Sequence, residues 1–120
     1  MTRLEIDFKL YEFNVLSSIL LEYYKHSAFH YNKIVHQDSV EYDEFFLRIT
    51  PIQEKQLTLR SEIKHYFKNK KIVNKETKET AMISDSYESN SKFYFKINYS
   101  GGNKIATFFW INYIQEVWDY

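Results

Sequence analysis

The sequence predicts an α+β domain with an amino-terminal strand, two amphipathic helices and a carboxyl-terminal antiparallel hairpin or meander packed on the helices. Three observations lead there. Residues 3–10 alternate apolar and charged side chains, two later stretches repeat apolar residues at helical spacing, and the only two glycines, Gly101 and Gly102, sit side by side between β-branched and aromatic runs.

The alternation places Leu4, Ile6, Phe8 and Leu10 on one face of a strand and Arg3, Glu5, Asp7 and Lys9 on the other. A competing reading runs the following helix backwards through Ile6, Leu10 and Phe13. The first helix is expected from Asn14, read as its N-cap, to about Val35, on the spacing of Leu16, Ile19, Leu20, Tyr23 and Tyr24, with Ile34 farther along. It should stop before Asp38-Ser39. Residues 41–49 fit two periods: Phe45, Leu47 and Ile49 alternate, while Tyr42, Phe45, Phe46 and Ile49 share a helical face. The strand reading is preferred here.

Thr50-Pro51-Ile52-Gln53 combines a hydroxyl cap, a proline at the first helical position and a glutamine three residues after the cap, which predicts a second helix to about Lys68. Ile52, Leu59, Ile63, Tyr66 and Phe67 form its apolar stripe, and the lysines near its end complement the helix dipole. The polar residues 69–91 read as either a solvent-edge hairpin or a mobile loop. Beyond them, residues 92–99 and 104–112 form a hairpin about Gly101-Gly102, where a tight turn needs positive φ. A two-residue turn pairs Tyr99 with Lys104, Ile97 with Ala106, Phe95 with Phe108 and Phe93 with Trp110 on the core side. Tyr94, Lys96, Asn98, Ile105, Thr107 and Phe109 then lie outside. A three-residue loop instead pairs Phe95 with Phe109 and Phe93 with Ile111. Because the second strand is apolar on both sides, it is expected to be central in the sheet.

A length of 120 residues fits one domain, 1–120, and 16 basic against 16 acidic side chains leave no net charge to draw the protein to nucleic acid or anionic membrane. Without cysteine there are no disulfides, thiolate sites or cysteine nucleophiles. Neither a secretory leader nor an apolar run of membrane-spanning length is legible, so a cytoplasmic protein with no membrane partner is expected.

Chemical constellations are weak. Glu22, His26 and His30 follow one another at one-turn intervals, but Ser27 stands where a zinc-protease helix would carry glutamate. Glu62 and Lys64, with Asp43 upstream, superficially resemble the acidic and lysine set of metal-dependent nucleases, yet fall inside the second helix rather than on a strand. Ser17-Ser18 lacks a glycine elbow, and one glycine pair cannot make a phosphate loop. No catalytic, cofactor or metal residue is assigned, and a non-enzymatic role is expected.

What remains is surface. A basic run from His65 through Lys68, Lys70, Lys71 and Lys75 to Lys78 interleaves with aromatics and is the best nucleic-acid feature, while Asp38, Glu41, Asp43, Glu44, Glu116 and Asp119 are opposite in sign. Tyr, Trp and Phe in excess are also the residues that anchor protein interfaces. The expected function is a small protein-binding module of inhibitor or immunity type, for example a phage or mobile-element anti-defence protein that blocks a host nuclease or toxin. Tyr94, Lys96, Asn98, Phe109, Trp118 and Tyr120 are its expected contacts. The alternative is an RNA or single-stranded nucleic-acid-binding domain that uses the aromatic sheet face with Lys68, Lys70, Lys71 and Lys75.

Overall fold

The computed structural model describes residues 1–29, 40–101 and 104–120, with backbone alone at 26–29 and 40–43. Two amino-terminal helices, α1 (Arg3–Phe29) and α2 (Val40–Phe67), precede the strands β1 (Lys71–Asn74), β2 (Thr80–Ser89), β3 (Lys92–Tyr99) and β4 (Thr107–Trp110); a short helix α3 (Ile111–Val117) then leads into β5 (Trp118–Asp119). The sheet is antiparallel throughout, in the order β4-β3-β2-β1-β5. The α+β class holds. The described residues divide into two compact units, residues 7–62 and residues 1–6 with 63–120.

Residues 3–10 are helical, which corrects the expected strand. A strand would have put Leu4, Ile6, Phe8 and Leu10 on one face, whereas Ile6 and Leu10 are buried and Leu4 and Phe8 are 80% and 64% exposed. Burial follows Ile6, Leu10, Phe13 and Leu20, the helical period. The start signal is Thr2, whose hydroxyl accepts from the Glu5 N–H at 3.2 Å, so Thr2-x-x-Glu5 is the N-terminal signature and Asn14 is mid-helix. The expected end near Val35 lies outside the described residues.

The strand expected at 41–49 and the helix start expected at Thr50 are corrected together, because α2 runs from Val40 through Pro51 without interruption. Its buried positions Ile49, Gln56, Leu59, Ile63 and Phe67 keep one helical face across the proline. Within residues 7–62, the Gln56 amide donates to the Ser17 hydroxyl at 2.7 Å, which donates to the Phe13 carbonyl at 2.8 Å. Gln53 reaches the Tyr24 hydroxyl at 2.9 Å, and Lys55–Glu12 and Lys9–Glu62 are ion pairs. The helix α2 ends as expected, with Asn69 in the left-handed region at φ 55°.

In the other unit, one sheet face is core. Ile72, Ala81, Ile83, Phe93, Phe95 and Ile97 are buried together with Ile63, Phe67, Ile111, Ile114 and Trp118, and Phe67 lies 4.6 Å from Phe95 between ring centroids. Residues 69–91 contain the hairpin β1–β2, closed by the Asn74 side chain, which accepts from the N–H groups of Glu76 and Thr77. A second hairpin, β2–β3, turns at Asn90-Ser91, both with positive φ (52° and 60°), as a type I′ turn requires.

The glycine-centred hairpin takes the alternative register: Phe95 faces Phe109, Lys96 faces Phe108 and Tyr94 faces Trp110. Gly101 does not adopt positive φ, and Gly102 and Asn103 lie outside the described residues. The strand β4 stops at Trp110, where the chain turns into α3, so it lies at an edge of the sheet rather than at its centre. Phe108 and Trp110 are accordingly not core.

Candidate functional site

The solvent face of the sheet is assembled by one irregularity. The β2–β3 register shifts between Ile83, opposite Ile97, and Asp85, opposite Lys96. Before this bulge the odd residues of β2 point inward; after it, Ser86 and Glu88 take that side and Tyr87 emerges on the other. Glu88 stays inside because Lys64 reaches it at 3.3 Å.

Tyr87, Tyr94 and Trp110 therefore form one row across three strands, with Asp85, Lys96 and Phe108 in the next and Lys71, Met82 and Asn98 in the one beyond. Tyr87 stacks on Tyr94 (centroids 4.9 Å, 4° between planes), and Phe108 meets Tyr87 edge-on at 4.8 Å. The Lys92 ammonium stands 4.7 Å from the Trp110 ring centroid and that of Lys96 stands 5.9 Å from the Phe108 centroid. Tyr87 is 43% exposed and Trp110 39%. Lys71, Lys92 and Lys96 have no carboxylate partner among the described residues, while Asp85 accepts the Ser86 N–H at 2.8 Å.

Of the residues singled out in the sequence, Tyr94, Lys96 and Asn98 share this face. Phe109 does not. Its register opposite Phe95 sends it to the inner side, where it stacks on Tyr113 at 4.9 Å. Trp118 is 2% exposed in β5, beside β1, and its buried indole N–H has no acceptor among the described residues. Tyr120 packs 5.0 Å from Phe67 and carries the Arg3 guanidinium 4.1 Å above its ring. The lysines diverge: Lys70 lies over Tyr66, Lys75 donates to the Gln115 carbonyl at 2.8 Å, Lys71 joins the open face, and Lys68 borders a cleft of about 200 Å³ behind the bulge with Lys64 and Asp85.

Sequence reasoning missed Tyr87, Lys92, Phe108 and Trp110 as members of the face. Counting outward from an Asn90-Ser91 turn pairs Ser89 with Lys92 and Tyr87 with Tyr94, so that dipeptide was the available signal.

Glu62 and Lys64 are held in separate ion pairs and Glu22 pairs with Lys25, while His30 and the side chains of His26 and Asp43 lie outside the described residues. Two shifted groups sit together at another corner of the sheet. Burial, followed by the neighbouring Tyr113 phenol, raises the Tyr99 phenol above its ordinary value, and the hydrogen bond to Glu79 at 2.8 Å raises Lys104. Comparison with protein families, with curated proteins and with solved structures finds no match.

Proposed function

We propose that the protein is a binding module of inhibitor or immunity type that docks on an acidic protein surface, such as that of a host nuclease or toxin, through the open face of its sheet. The observation that carries this reading is the contiguous row Tyr87–Tyr94–Trp110, with Tyr87 and Trp110 exposed and Tyr94 half-buried between them, accompanied by the ammonium groups of Lys71, Lys92 and Lys96, which form no ion pair among the described residues. Surface aromatics are the anchors of interface cores, and lysines around them suit the polar rim, where they steer an acidic partner. Several ring faces are already occupied, those of Tyr87 and Tyr94 by each other and that of Trp110 by Lys92. Nucleobases stack on free ring faces, so this packing favours a protein partner over a single strand of nucleic acid.

The test is affinity capture by the full chain from nuclease-treated lysate of cells that carry the partner, with Tyr94→Ala, Trp110→Ala and Lys96→Glu in parallel. A stoichiometric protein complex that weakens with salt and is lost in the face variants, whose circular dichroism stays unchanged, is the expected result. Complex formation indifferent to all three substitutions overturns the reading. So does tight binding of single-stranded RNA or DNA, steeply salt-dependent and abolished by Lys70→Glu and Lys71→Glu.

A further inference from the structure

We infer that the partner's contact is an extended acidic segment that adds to the free edge of β4 as a sixth strand. This inference rests on the docking face proposed above and specifies its occupant.

The strand β4 is terminal in the sheet, and among the described residues no strand pairs with its outer edge, which leaves a row of backbone donors and acceptors unclaimed. Natural edges are guarded by a lysine or proline in the strand, by a bulge or by short length, and Thr107-Phe108-Phe109-Trp110 has only the last of these, being four residues long. The guard is displaced onto β3. Its lysines Lys92 and Lys96 hold their ammonium groups 4.7 and 5.9 Å from the centroids of the β4 rings Trp110 and Phe108.

This geometry selects the charge of the incoming chain. An added strand lies about 4.8 Å beyond β4, and its same-face side chains recur about every 6.8 Å. Those side chains fall beside Phe108 and Trp110, near two ammonium groups that form no ion pair among the described residues, although Asp85 stands opposite Lys96 on β2. From β3 to the new strand is about 10 Å, two inter-strand spacings, a gap that an extended lysine and a glutamate close between them. Carboxylates at alternate positions of the segment therefore meet the lysines, while backbone pairing supplies the sequence-independent share of the affinity. A basic segment on the same edge would meet like charge, so the edge discriminates by sign.

The experiment is fluorescence anisotropy of the full chain with labelled eight-residue peptides. One alternates glutamate and valine, a second alternates lysine and valine, and two more repeat the acidic sequence with alternate amides N-methylated in one register or the other. The acidic peptide is expected to bind at least tenfold more tightly than the lysine peptide. Lys92→Glu with Lys96→Glu should weaken it at least tenfold, and methylation should abolish binding in one register and spare it in the other. Equal binding by both methylated peptides overturns strand addition, as does indifference to the double charge reversal or no binding of the acidic peptide at all. A dimer in sedimentation that buries β4 and is broken by Phe108→Lys also overturns the inference, because the edge then belongs to a second copy. If the peptide fails while the capture remains sensitive to Tyr94→Ala, the docking face stands and only the strand mode falls.

Discussion

Phe67 shows how much a single side chain holds. It is fully buried, meets Phe95 and Tyr120 at 4.6 and 5.0 Å, and closes the inner face of the sheet. Phe67→Ala should cost about 3–5 kcal/mol in urea unfolding, since the rings around it cannot collapse into the space. Arg3 acts differently. It donates to Asp119 at 2.7 Å and to the Gln115 carbonyl at 3.2 Å, and it covers Tyr120, which ties one helix start to β5. Being partly exposed, it should lose only about 1–2 kcal/mol on Arg3→Ala. Tyr99 contributes to the alkaline pH dependence. Its raised pKa means the native state holds the phenolic proton more tightly than the unfolded chain, so this stabilisation is complete below pH 10.0 and is lost as pH rises through the folded value. Tyr99→Phe should flatten the alkaline fall of Tm measured between neutral pH and pH 11. Residue burial was legible where alternation was clean, as for Phe93, Phe95 and Ile97. Trp118 was not legible, because its burial depends on pairing with Asn74, more than forty residues away.

At the scale of elements, Gly101-Gly102 lies between the paired strands β3 and β4 as expected, in the register of the three-residue loop, while Asn90-Ser91 makes a tight turn that was not expected. Thr50-Pro51 satisfies the chemistry of a helix start, yet the apolar stripe of α2 runs through it. Packing of a continuous face overrides a start signal that no buried residue requires. Pro51 still removes one backbone bond from α2, so Pro51→Ala should raise helicity and stabilise by about 1–3 kcal/mol, read from the urea midpoint. Ser91→Gly should stabilise by about 0.5–1 kcal/mol by relieving a side chain at φ 60°. The bulge tests the face itself. Deleting Ser84 removes the unpaired residue of the bulge and leaves Asp85 opposite Lys96 and Tyr87 opposite Tyr94, so Tyr87 should stay on the open face with capture of the partner retained, and Ser84→Ala should stay within about 0.5 kcal/mol.

For the molecule as a whole, the α+β class was readable from composition and period, but the sheet order was not. Local hairpins β1–β2 and β2–β3 follow the sequence, while β5 returns to pair with β1. No local pattern encodes a two-residue strand, so the expected meander lacked its final member. The candidate face was half legible. Tyr94, Lys96 and Asn98 followed from alternation, and Tyr87 and Trp110 needed the bulge and the register.

The pairing of β5 with β1 also bears on synthesis. The helical residues 7–62 can collapse early, but β1 keeps an open flank until Trp118 and Asp119 have left the ribosome, and Arg3 waits equally long for its acceptors. During that interval the nascent sheet offers two unpaired flanks, β1 and β4, at which neighbouring chains on a polysome could cross-pair. The yield of this protein in a cell should therefore depend on how quickly the codons for Trp118 and Asp119 are read after those for β1.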